Sequence, residues 1–214
     1  MKRKDFLSSI IPAAVSIKAI SLDLEETAKK STIPPYLKKG DTIGITSPAG
    51  YITLEDIQSS INKLQEWGFN VSIGNTIGKR NFSFGGTDEE RLADLQQMLD
   101  DKNIKAILCA RGGYGAVRIV DKINLAGFKK HPKWIIGFSD ITVLHSHINR
   151  NTNIASLHSK MCNSFPSDWS LAEPIQIATI ESIRQCLVGD KMKYETTSNA
   201  YNRIGKATGE LVGG

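Results

Sequence analysis

Short apolar runs alternate with amphipathic stretches through the middle of the chain, and this alternation limits the fold more than any other feature. Thr42–Thr46, Asn70–Gly74, Ile104–Cys109 and Trp134–Gly137 read as strands. From Leu54 to Trp67 the apolar residues Ile57, Ile61, Leu64 and Trp67 recur at helical spacing, and Gly68 ends the run. Thr87 is placed as an N-cap with Glu90 three residues on, a capping-box pattern that opens a helix carrying Leu92, Leu95, Met98 and Leu99. The Gly-rich Arg111–Gly115 leads toward a helix with Val117, Ile119 and Val120, and further helices are expected over Ile141–Ile148 and Ile175–Leu187. Strands this apolar need cover on both faces. Alternation at this spacing predicts an α/β domain, a parallel sheet between two helical layers joined by right-handed crossovers. Ligands of such sheets bind at the carboxyl ends of the strands, which selects Ser47–Gly50, Arg111–Gly115 and Gly137–Asp140.

Charge first suggests a nucleic-acid binder, since the 214 residues carry a net +5. Its distribution argues otherwise. Residues 1–40 hold eight basic and four acidic side chains, so +4 of the +5 lies there and the remaining 174 residues are close to neutral. A near-neutral body has no general hold on a phosphate backbone, and no nucleic-acid partner is expected.

The N-terminal arm has its own pattern. Lys2, Arg3 and Lys4 precede an uncharged stretch from Phe6 to Ile17, and Ala19-Ile20-Ser21 follows. A basic start, a short apolar segment and a small-residue end form an export signal, which would put the protein in the periplasm. The rival reading is an amphipathic or frayed extension of a cytoplasmic protein. Twelve uncharged residues fall short of the roughly 20 needed for a membrane span. The expected organisation is an export signal over 1–21, a linker over 22–38, the α/β domain over 39–190, and over 191–214 a linker with the start of a second, β-rich domain cut at Gly214.

Three segments carry candidate chemistry. Gly137-Phe138-Ser139-Asp140 stands between a strand and a helix, where a sharp turn would expose the Ser139 hydroxyl and aim helix N–H groups at a ligand. Equally, Ser139 and Asp140 could simply cap the following helix. The Arg111–Gly115 turn could present backbone N–H groups to a phosphate or to an oxyanion, or its glycines could serve only a tight turn. It matches neither phosphate-binding glycine motif. Cys109 could be a thiolate, but a lone Cys ending an apolar strand is usually a buried small hydrophobe. Cys162 and Cys186 lack the spacing of a zinc site. His145 and His147 lie on the helix after Ser139 and do not stack beneath it. A Ser nucleophile needs a base and an orienting acid, and the sequence offers no convincing pair.

Four ordered blocks resemble the LD-carboxypeptidases, a group that includes murein tetrapeptide carboxypeptidases and microcin C self-immunity peptidases. They are Gly40-Asp41-Thr42-Ile43 with Ser47-Pro48-Ala49-Gly50; Gly86–Arg91 with Asp94-Leu95; Ala110–Gly115; and Gly137–Thr142. The resemblance implies a three-layer, flavodoxin- or amidotransferase-like N-terminal domain and a serine peptidase with a Ser–His–Glu triad. Ser139 falls on the nucleophile, and the N–H groups of Asp140 and the Gly112-Gly113 turn fall where the oxyanion hole is expected. The triad Glu and His fall beyond Gly214, so this chain alone is expected to be inactive. The implied substrate is a murein or similar D-residue-ended peptide, with no metal and no organic cofactor, and a homodimer is left open. Leu157-His158-Ser159-Lys160-Met161 departs from the His-Gly-Pro of many relatives. Two rivals stand beside this reading: a non-catalytic peptide- or nucleotide-binding module, and a cysteine hydrolase using Cys109.

Overall fold

The computed structural model describes residues 30–194 and 197–206. The expected export signal and the sequence after Lys206 lie outside them. Five parallel strands form one sheet: β1 Thr42–Thr46, β2 Asn70–Ile73, β3 Ile104–Cys109, β4 Trp134–Gly137 and β5 Leu157–His158. Their order is β2-β1-β3-β4-β5. The helices are α1 Leu54–Glu66, α2 Asp88–Asp100, α3 Ala126–Lys130, α4 Thr142–Thr152 and α5 Pro174–Val188. This is the flavodoxin-like order, which reverses between β1 and β3 and opens a crevice at their carboxyl ends.

Local chemistry sets the helix boundaries. Thr53 and Asp56 form a reciprocal capping box on α1, and Thr87 and Glu90 form one on α2. Gly68, at φ +91°, turns the chain from α1 into β2.

Two apolar cores flank the sheet. Ile43, Ile45, Leu108 and Ile136 pack toward Ile57 and Leu64 of α1 and Ile180 and Leu187 of α5. Ile107 and Ile135 pack toward Leu95 and Leu99 of α2, Phe128 of α3 and Leu144 of α4. Neighbours along β3 therefore face opposite layers. Ile104 breaks the alternation because the β1–β3 register pairs Thr42 with Ile104 and Ile43 with Ala106. The skipped residue, Lys105, is turned out to solvent, as a bulge requires.

Two expectations need correction. The helix after Gly115 is two single 3₁₀ turns, Ala116–Arg118 and Val120–Lys122. The helix after the Ser139 turn begins at Thr142, behind a 3₁₀ turn at Ser139–Ile141, and runs to Thr152. Sequence reading also passed over α3 and β5, five and two residues long. Both are too short to carry a periodic signal. No described helix is long and apolar enough to cross a membrane.

Candidate active site

The carboxyl ends of β1, β3 and β4 bring together the three segments that the strand-end rule selects. At the end of β4 the chain reverses so tightly that a Cβ on Gly137 would lie 2.7 Å from Ile141 Cγ2. Ser139 follows with φ +60°, a left-handed conformation uncommon for a residue other than glycine. Its side chain is exposed. Neither Ser139 nor Asp140 caps α4, whose N-cap position is Ile141 with no side-chain hydrogen bond. Asp140 reaches sideways instead, and its Oδ2 accepts the backbone N–H of Ala116 at 2.8 Å. The Ser139 turn and the Gly-rich turn are thereby tied together.

The Gly-rich turn is held from the other side as well. Gly112 O accepts the Gly50 N–H at 3.0 Å. A Cβ on Gly50 would come within 2.6 Å of that oxygen, and one on Gly112 within 3.3 Å of Ser139 Cβ. A side chain at Gly50 would force the two loops apart, and one at Gly112 would crowd Ser139 and Met161. Gly113 and Gly115 adopt φ +107° and +140°, conformations open to glycine alone at little cost. In a trans peptide C=O and N–H point opposite ways, so committing Gly112 O to Gly50 turns the Gly113 N–H away from β1. The N–H groups of Ser139 and Asp140 open a helical turn, where no intrahelical acceptor exists. Donors of this kind can receive an anionic oxygen.

Arg91 fastens the assembly from below. It is fully buried, and Nη1 donates to Pro48 O at 2.6 Å and Gly115 O at 2.8 Å. One atom thus joins the loop after β1 to the turn after β3. Nη2 contacts Asp88, and the guanidinium lies 5.0 Å from the Phe84 ring centre. Burial pulls the Arg91 pKa down, opposed by the Asp88 charge. Asp88 also receives Arg118, whose hydrogen bond is the main cause holding its carboxyl below the usual range. Nearby, buried Asp94 accepts Thr46 Oγ1 at 2.7 Å, Thr76 Oγ1 at 2.6 Å and the Asn75 N–H at 2.7 Å, pinning the loop after β2 to the end of β1. Sequence reading gave neither residue a role. The signal was available: Arg91, Asp94, Leu95 and Met98 share one helical stripe, so two charges sit on the buried face of α2.

The remaining candidates take other roles. His145 is buried, and its Nε2–H donates to Gly137 O at 2.9 Å. Burial lowers its pKa, so it stands as a neutral post under the Ser139 turn. His158 is exposed at the end of β5, its ring 6.4 Å from that of Phe138. Cys109 has no exposed surface, and burial pushes its thiol far up. A thiolate there has no access to substrate.

The fold and the strand-end turns define a flavodoxin-like α/β protein with a built loop cluster at its switch point. The family profile described as the LD-carboxypeptidase N-terminal domain matches residues 43–159, more than half of the chain. The chain belongs to the LD-carboxypeptidase family. It is 36% identical over 183 residues to a probable murein peptide carboxypeptidase of Bacillus subtilis, covering 85% of this chain and 56% of that one. It is 26% identical over 167 residues to the murein tetrapeptide carboxypeptidase of Pseudomonas aeruginosa, covering 76% and 54%. Among solved structures it resembles the microcin C7 self-immunity protein MccF in complex with aspartyl sulfamoyl adenosine. There the TM-score is 0.66 and the identity 25%, over 75% of this chain and 48% of that one. The chain spans about half the length of the relatives it matches.

Proposed function

We propose that this chain is the nucleophile-bearing half of a serine LD-carboxypeptidase that releases the terminal D-Ala of murein tetrapeptide. The observation that carries the reading is Ser139: an exposed residue in a left-handed conformation at the end of β4, at the opening of a 3₁₀ turn. In this reading Ser139 Oγ attacks the carbonyl before the terminal D-residue. The Asp140 N–H and one from the Gly112-Gly113 turn receive the tetrahedral oxyanion. A His takes the serine proton and returns it to the leaving amine, and a Glu orients that His. Both come from the half of the relatives' length that this chain does not cover. Buried His145 is a poor substitute, since its Nε2 is committed to Gly137 O. The MccF relative in complex with a sulfamoyl adenosine favours a second substrate class, a peptide joined to a nucleotide.

The test uses the complete polypeptide, with murein tetrapeptide and a peptidyl nucleotide as rival substrates. Ser139→Ala should lower kcat by about 10³-fold or more while tetrapeptide binding persists. Residues 1–214 alone should give no turnover. Undiminished turnover by Ser139→Ala would leave a binding module or another nucleophile, and turnover by 1–214 alone would refute the divided machinery. An export signal at residues 1–21 would deliver this site to periplasmic murein, which cell fractionation checks.

A further inference from the structure

The opposite end of the sheet holds a cavity of about 470 Å³, walled by the approach to β1, the α2–β3 connection with the start of β3, and the α3–β4 connection. A small-molecule site is commonly this large. Lys38, Lys102, Lys105 and Lys130 line it, with Asp41 as the single acidic residue of the lining. Four ammonium groups around one hollow, three of them from the body of nearly zero net charge, call for an explanation.

Helix ends supply only part of one, since Lys130 alone of the four stands in the last turn of a helix, α3. Cations do collect at helix C-termini, but the end of α2 is already served. Buried Lys133 donates from Nζ to Met98 O at 2.9 Å and Asp101 O at 2.6 Å. Lys105 is the residue that the bulge of β3 skips, so the strand's own irregularity turns it outward, and its Nζ donates to Lys102 O at 2.7 Å. None of the ion pairs among the described residues involves the four lysines. The nearby carboxylates are engaged in their own turns: Asp41 accepts the Lys38 N–H at 2.7 Å, and Asp101 accepts that of Asn103 at 2.8 Å. The aromatic wall is set in advance. Tyr36 stacks on Trp134 with ring centres 6.3 Å apart, and Trp134 Nε1–H donates to Pro35 O at 3.1 Å.

We propose that this cavity binds a small phosphorylated ligand, its phosphate oxygens received by Lys38, Lys102, Lys105 and Lys130 and its uncharged part lying against Tyr36. The site stands at the amino ends of the strands, away from Ser139, and does not depend on the catalytic reading. Pyrophosphate titrated into the 214-residue chain by calorimetry provides the test. Saturable binding at one site is expected, weaker at high salt because exposed charges are screened. Lys102→Glu with Lys130→Glu should weaken it at least tenfold. An equal charge change elsewhere, Lys122→Glu with Lys191→Glu, should weaken it less than threefold. Should the first pair unfold the chain, judged by circular dichroism, Lys102→Gln with Lys130→Gln replaces it under the same tenfold criterion. No binding, or equal loss in both double variants, overturns the proposal. Co-sedimentation with phosphatidylglycerol vesicles separates the two sources of phosphate: binding to vesicles but not to pyrophosphate assigns a lipid surface and overturns the small-ligand claim.

Discussion

The two ends of the sheet are built on different principles. At the carboxyl ends, buried and half-buried polar side chains reach across from one segment to another, although Arg91 Nε and His145 Nδ1 are left without a partner. Arg91 joins two loops, Asp94 holds a third, Asp140 ties the Ser139 turn to the Gly-rich turn, and His145 props the end of β4. At the amino ends, Lys133 alone is buried, and the other lysines line an open hollow. Under the proposed function these loops would hold a reacting geometry, which needs directional bonds, because backbone glycines provide close approach but no stiffness of their own. Loops at the other end carry no such demand, so their charge stays in water. The contrast has measurable consequences in stability.

The largest should follow from Arg91→Met. Removing the guanidinium leaves Pro48 O and Gly115 O without their donor and Asp88 with one cation instead of two. Breaking a buried charged network from one side costs about 3–5 kcal/mol, and urea unfolding of residues 31–206 should show a loss of that order. A loss below 1 kcal/mol would mean that the glycines alone set the loops, and the contrast between the ends would collapse.

Lys133 tests the other end through pH. Burial pulls its pKa to about 8, below the ordinary lysine value of about 10.4. Between those values the unfolded chain binds a proton that the folded chain does not, so stability should rise with pH across that window. In Lys133→Met the rise should disappear, and the α2 carbonyls at Met98 and Asp101 should lose their donor. Urea midpoints of both proteins from pH 7.5 to 10 provide the comparison. A rise that survives in the variant would assign it to other groups.

Much of this was legible in the sequence because its causes are local. The strands Thr42–Thr46 and Ile104–Cys109 and the Thr87–Glu90 capping box depend on neighbouring side chains, and they stand where the pattern puts them. The sharp turn at Ser139 was readable from Gly137, since only a missing Cβ allows Ile141 so close. The helix drawn after Gly115 failed for the complementary reason. Val117, Ile119 and Val120 suggest a helical face, yet Val117 is exposed and the segment closes as 3₁₀ turns. There Arg91 and Asp140 hold Gly115 O and the Ala116 N–H from outside, and tertiary bonds override propensity. The lysine-lined cavity was illegible because it joins three connections remote in sequence.

The smallest effect expected belongs to His145, which also probes the carboxyl ends most closely. Its imidazole pKa is lowered, first by burial and further by His158, while the Gly137 carbonyl opposes the shift. Below the ordinary value near 6.5, the unfolded chain takes up a proton that the folded chain resists. Stability is therefore complete above that pH and falls as pH drops toward the lowered value. His145→Gln keeps a donor for Gly137 O but does not titrate. Its stability should be within about 1 kcal/mol of the parent at pH 7.5, the usual worth of one hydrogen bond, and it should lose less between pH 7 and 5. Paired urea curves at those pH values decide the matter. An acid limb equally steep in the variant would show that His145 is not the group that charges. The post under the Ser139 turn would then be a hydrogen bond whose strength does not vary with pH.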